Sequence, residues 1–322
     1  MTRSPADAPI PPPSGPANGP AVSRQEFDVL FEKVRAWGRW TPADRGAWAR
    51  VTPDHVLRAT ALVQVGAVVP MALPWNTVPA PDNGKPALHY MSGLGDGEPE
   101  EPSTYTDFIA TDFHGKAVSH LDALSHIAYR GKLYGGRSAR EAVDCRGARF
   151  GAVSALGALV TKGVFLDLPT SLGTDWLEPG QAVHARDVIA AEKALGVTIG
   201  EGDAVLLRSG HVRRRREHGA WNPDTASAGF HVGAVPLLAE RGIVLLGGDG
   251  DSDVRPSPVE GLHSPVHALA VNAMGVPLLD NLDLEALSAA CAEEGRYEFL
   301  LVVAPLNIPG GTGSPVTPVA VL

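Results

Sequence analysis

The chain has 322 residues, 44% hydrophobic and 20% charged, enough to bury a full core. A formal net charge of −9 argues against general nucleic-acid binding and against an anionic membrane surface. Two cysteines without CxxC spacing, Cys145 and Cys291, indicate neither a disulfide framework nor a thiolate zinc site.

Residues 1–22 are rich in Pro, Gly and Ala and lack an apolar signal core, so they read as a disordered tail before a catalytic domain at 23–322. A reducing cytoplasm is the expected location. Ser23-x-x-Glu26 is a capping-box pattern ahead of Phe27, Leu30, Phe31 and Val34 at helical spacing. Thr52-Pro53 opens a second helix through Val63, Gly66 ends it, and Ala67 to Leu73 reads as a strand. Residues 75–105 read as a turn-rich surface excursion near the active site, and Gly131 to Gly136 as a turn. Gly163 to Leu168 predicts a buried strand, and Ala185 to Leu195 a helix stopped by Gly196. Ala204 to Arg208 and Gly242 to Gly247 are β-rich runs. Arg213 to Arg216 reads as a solvated helix face or loop. Asp283 to Cys291 predicts a helix, and Phe299 to Ala304 a core strand too short to span a membrane. Strands and helices alternate loosely, which favours a single mixed α/β domain.

Chemistry concentrates in His120, Asp122 and His126. Imidazole and carboxylate bind divalent metals or move protons near neutral pH. In an extended segment His120 and Asp122 share a side while Leu121 and Ala123 face the core. The plainer alternative is a hydrogen-bonded structural trio. His267, in Pro265-Val-His267, and Asp280, after Val276 to Leu279, flank one apolar stretch and could complete a set of N and O ligands. Such a set suits zinc or manganese better than calcium.

These segments carry a resemblance. His114-Gly-x4-His120-Leu-Asp-Ala-Leu-Ser-His126 and Gly131-Lys-Leu-Tyr-Gly135 resemble the core motif of the putative cyclase family, which includes bacterial-type kynurenine formamidase and isatin hydrolase. The likeness continues through Gly202 to Arg208, Gly247 to Asp253, Pro265 to His267 and Leu278 to Leu282, and closes at Ala304 to Pro315. It implies a swivelling β/β/α fold, a divalent metal, hydrolysis of a carbon–nitrogen bond in a small cyclic or aryl amide, and a homodimer or homotetramer. It also implies that His120, Asp122, His267 and Asp280 bind metal and that His126 transfers protons.

The family pattern H-x3-H-x-D-x3-H has its first His replaced by Lys116, and a protonated lysine has no lone pair to donate. His114, two residues earlier, could substitute as ligand. Alternatively the remaining four residues hold the metal alone, or the Lys116 ammonium takes the cation's place and the site is metal-free. With metal, Lys116 is expected to stabilise an oxyanion or a substrate carboxylate. Two other functions compete with hydrolysis: a biosynthetic cyclase or dehydratase using the same acid–base pocket, which Lys116 favours, and a binding protein that has lost catalysis.

Three patterns mimic other sites. Asp249 to Glu260 imitates a calcium loop but has Val254 where glycine is needed, and a turn at a strand end near the active-site mouth fits better. Gly310 to Ser314 lacks the lysine and helix of a phosphate loop. Ser209-Gly-His211 lacks a nucleophile elbow. His211, His218 and His231 read as surface residues, and Trp37, Trp40, Trp48 and Trp75 as packing.

Overall fold

Nine strands make one mixed sheet in a computed structural model that describes residues 21–95 and 102–322. In chain order they are Val68–Pro70 (β1), His120–Asp122 (β2), Leu159–Asp167 (β3), Ala204–Arg208 (β4), Leu245–Gly248 (β5), Leu278–Asp280 (β6), Glu298–Val303 (β7), Gly313–Pro315 (β8) and Val319–Val321 (β9). Across the sheet the order is β1-β9-β7-β3-β4-β5-β6-β2-β8. Strands β3 to β6 run parallel to their neighbours within that block, and the outer pairings are antiparallel.

The sequence explains this division. Every residue of β4, β5 and β6 is buried, as near-continuous apolar runs require when helices cover both faces. Strand β7 alternates half-buried and buried positions, the mark of one covered face. Helices Ala185–Leu195, Val235–Arg241 and Pro265–His267, the last continuing as a π-helix over Ala268–Met274, lie on the connections within the parallel block. The tail expected at 1–22 lies outside the described residues except for Ala21 and Val22, and Val22 pairs with Val259. No helix among the described residues is long and apolar enough to cross a membrane.

Local signals place several elements well. Arg24–Val34 is helical, with Glu26 N donating to Ser23 Oγ at 3.2 Å and Ser23 N donating to Glu26 Oε2 at 2.8 Å. Ala185–Leu195 ends on left-handed Gly196. The second helix is shorter than expected, Pro53–Thr60, and the last one shifts to Glu285–Glu294. Strand β3 starts at Leu159, because Leu159 and Thr161 already point into the core. Residues 75–105 are not all turns: Leu88–Gly93 pairs with Thr106–Ala110, a partnership across an intervening connection that local composition does not reveal.

Arg213 to Arg216 lies on helix His211–His218, but the arginines are not simply solvated. Arg213 pairs with Asp175 and Glu217, Arg214 with Glu178, Arg215 with Asp82, and Arg216 with Asp283. A buried network ties the ends of β3 and β4 together. Arg208 donates to Asp167 Oδ1 at 2.9 Å and to both carboxylate oxygens of Glu285 at 2.9 and 2.8 Å. Arg208→Ala should cost about 3–5 kcal/mol in urea unfolding, because Asp167 would be left buried without its cation. A cost below about 1 kcal/mol would show that the network contributes little.

Candidate metal centre

Sheet register assembles the site. His120 and Asp122 project from one side of β2, and Leu121 between them is fully buried on the other. Antiparallel pairing with β6 sets Asp280 directly opposite His120. On the other flank β8 sets Gly313 opposite Asp122, and a Cβ there would come within 2.7 Å of His114 Cε1. Glycine at that position therefore leaves the space that His114 fills. The segment bearing His114 and Lys116 is clamped by Asn281, whose Nδ2 donates to Gly115 O at 2.8 Å. Asn281 has φ 58°, a left-handed turn that asparagine tolerates, so the chain bends immediately after Asp280. His267 ends the short buried helix Pro265–His267, which continues as a π-helix from Ala268 to Met274.

Asp122 is the centre of the arrangement. Its carboxylate is buried, and neither oxygen has a hydrogen-bond partner. Four imidazoles surround it. His114 Nδ1 lies 2.8 Å and His120 Nε2 3.5 Å from Oδ1, while His126 Nε2 and His267 Nε2 each lie 3.6 Å from Oδ2. His114 approaches closely but is not aligned as a donor, since its Nδ1 is itself unpartnered. Burial alone would raise the Asp122 carboxyl, but the imidazoles of His126, His114, His120 and His267 outweigh that and hold it well below the usual carboxylate range.

The far nitrogens of three of these rings are engaged. His120 Nδ1 meets Val118 O at 2.8 Å, His267 Nδ1 meets Asp253 Oδ2 at 2.6 Å, and His114 Nε2 meets Thr312 Oγ1 at 3.0 Å. The carbonyl and carboxylate acceptors set the outer nitrogens of His120 and His267 as the N–H side, while the Thr312 hydroxyl can serve either tautomer of His114. His126 stacks on His114 with centroids 3.9 Å apart and rings 4° from parallel. Burial pushes its pKa down to about 4 against the opposing pull of Asp122. Ligand-type atoms come together as His114, Asp122 and His126, as His120, Asp122 and Asp280, and as Asp251, His267 and Asp280.

Lys116 does not point at Asp122. Its ammonium pairs with buried Asp251 and lies 3.5 Å from Asp224 Oδ1. Arg255 Nη2 also donates to Asp251 Oδ2, at 2.7 Å. Burial would raise the Asp251 carboxyl, but His267, Lys116 and Arg255 hold it low instead. Both clusters open on one cavity of about 440 Å³, lined among others by His114, Lys116, His126, Asp251 and His267. That volume suits a small organic molecule.

The residues singled out from sequence, His114, Lys116, His120, Asp122, His126, His267 and Asp280, all line this cavity. The run Asp249 to Asp253 is no calcium loop, because its carboxylates diverge. Asp249 accepts from Ser209 N, Gly210 N and His211 N, Asp251 faces Lys116 and Arg255, and Asp253 holds His267. The turn expected at the active-site mouth does lie there, and its Asp251 and Asp253, with Arg255 just beyond, go further and contact Lys116 and His267 directly. Their signal was present, a cluster of acids just after an apolar strand in a parallel block, where ligand sites form. Two of the histidines expected on the surface are not there. His231 is buried, its Nδ1 accepting from Gly233 N at 3.0 Å, and His211 is half-buried against Trp221. Rings brought by the tertiary fold lie against both, Trp221 on His211 and His184 on His231, while His218 is exposed as expected.

A family described as Putative cyclase matches residues 43–252, a span that includes His114 to Asp251. No curated protein matches the chain. A solved structure described as a novel cyclase superposes with a TM-score of 0.80 at 26% identity, covering 91% of this chain and 99% of that one. Isatin hydrolase A from Labrenzia aggregata has a TM-score of 0.56 at 21% identity, covering 81% and 94%. Isatin hydrolase A from Ralstonia solanacearum has a TM-score of 0.53 at 22% identity, covering 79% and 91%. These likenesses show the shared mixed α/β fold, and with the family match over most of its length the chain belongs to the cyclase family.

Proposed function

We propose that this protein is a metal-dependent hydrolase that cleaves a carbon–nitrogen bond in a small cyclic or aryl amide. The observation that carries the reading is Asp122, a buried carboxylate with no hydrogen bond on either oxygen and four imidazoles around it. A buried carboxylate that accepts no hydrogen bond and is ringed by imidazole nitrogens is an environment that suits a cation. Of the candidate ligands His114, His120, Asp122, His267 and Asp280, the trio His120, Asp122 and Asp280 has mutual ligand spacing, with His114 and His267 each within 3.6 Å of Asp122; these N and O donors would suit zinc or manganese. His114 then takes the role that Lys116 cannot. The choice of a carbon–nitrogen bond follows from the resemblance of the His114–His126 and Gly247–Asp253 segments to amide hydrolases of the family.

When bound, a divalent ion supplies Lewis acidity toward a carbonyl and makes water easier to deprotonate. The chain's own residues do the rest. His126 Nε2 faces the cavity beside Asp122 and is in position to take a proton from water and return it to the leaving nitrogen. Its depressed pKa keeps the ring neutral, and so able to accept, at neutral pH. Lys116 lines the same cavity with its ammonium held by Asp251, and from there it would stabilise negative charge developing on the carbonyl oxygen.

Incubation with isatin, N-formylkynurenine and related cyclic and N-acyl aryl amides tests the reading. Ring opening or deformylation should depend on Zn²⁺ or Mn²⁺, stop on chelation and return when the metal is restored. Full turnover by demetallated protein would sink the metal-dependent reading. A dehydrated or cyclised product in place of a hydrolysed one would favour the cyclase alternative.

A further inference from the structure

We infer that the centre takes one divalent ion, and that the Lys116 ammonium stands where a second would otherwise bind. The inference rests on the metal-dependent reading above. Two ligand clusters adjoin here, and their carboxylates are in opposite states. Asp122 has both oxygens unpartnered. Asp251 has both occupied: Oδ2 by Lys116 Nζ and by Arg255 Nη2 at 2.7 Å, and Oδ1 by Asp253 N at 3.1 Å. His267 shows the same asymmetry. Its Nδ1 is engaged by Asp253 Oδ2 at 2.6 Å, while Nε2 turns toward Asp280 Oδ2 at 3.2 Å and Asp122 Oδ2 at 3.6 Å. The group of Asp251, His267 and Asp280 therefore has ligand spacing but little free ligand capacity.

Charge points the same way. Asp122, Asp251, Asp253 and Asp280 are four buried carboxylates gathered about His267, and the permanent cations Lys116 and Arg255 both sit on Asp251. The remaining deficit of two charges matches one divalent ion. A second ion would leave the interior with two uncompensated positive charges, beside an ammonium and a guanidinium already in place. Lysine thus removes a ligand from the family motif and also supplies a fixed cation to the neighbouring cluster.

Metal stoichiometry tests this without reference to catalysis. The full chain is loaded with excess Zn²⁺ or Mn²⁺, freed of loosely held ions by buffer exchange, and analysed for ions per chain. The unmodified protein should hold one. Lys116→Gln, which frees Asp251 of its ammonium, should hold two, and Lys116→Arg, which keeps the charge, should hold one. Two ions in the unmodified protein would overturn the inference while leaving the metal-dependent reading intact. One ion in Lys116→Gln would show that lysine is not what excludes the second. No ion in the unmodified protein would remove both readings, and the unmodified protein decides this even where a variant fails to fold.

Discussion

Asp122→Ala should reduce bound metal from stoichiometric to background and lower kcat/KM by about 10³-fold or more, since a Lewis-acidic ion is worth several kcal/mol in the transition state. Among the described residues Asp122 is the acidic residue that all four imidazoles approach, and it sits between Leu278 on β6 and Gly313 on β8. The loss should also have a signature in stability that a merely structural aspartate would not give. In metal-free protein the surrounding imidazoles favour the Asp122 carboxylate, so the alanine variant should unfold somewhat below the metal-free parent. In excess metal the gap should widen. An ion at about 100 times its Kd stabilises the parent by about 2.7 kcal/mol and leaves the variant unchanged. Thermal unfolding of both proteins, with and without Zn²⁺, reads the widening directly. A variant that keeps its metal, or that is destabilised equally in both conditions, would mean Asp122 is a packing residue.

How much of this was visible beforehand divides by the range of the interaction. Ser23 and Glu26, Gly196, and the apolar runs of β4 and β5 announce themselves within a few residues, so helix caps and buried strands were legible. The H-x-D alternation on β2 was legible for the same reason, because side chains on a strand repeat every second residue. The choice between His114 and Lys116 was not. Both side chains leave the same short segment, and their destinations depend on residues more than a hundred positions away. Thr312 meets His114, and Asp251 draws Lys116 aside. The direct contacts of Asp251 and Asp253 were missed because an acidic run after a strand reads as a turn until the sheet brings it against His267. The hairpin of Leu88–Gly93 with Thr106–Ala110 was missed because strand pairing is not written in either strand alone.

His126→Ala should lower kcat by about 10²–10⁴-fold, the usual contribution of a positioned acid–base group, while bound metal stays at the level of the parent. The combination matters because His126 stands close enough to serve as a ligand. It groups with His114 and Asp122, and its Nε2 is 3.6 Å from Asp122 Oδ2. Two features favour proton transfer over ligation. His120 and His267 each have an outer acceptor that fixes the tautomer, and His114 has an outer hydroxyl partner in Thr312. His126 is instead held by ring stacking on His114, which leaves it free to exchange protons at either nitrogen. It also lies beside the cavity and is more exposed than His120 or His267, where it can reach both a water and a leaving nitrogen. The discriminating measurement is metal content alongside kcat in one preparation. Activity and metal lost together would make His126 a ligand, and activity retained with metal retained would remove it from the chemistry altogether.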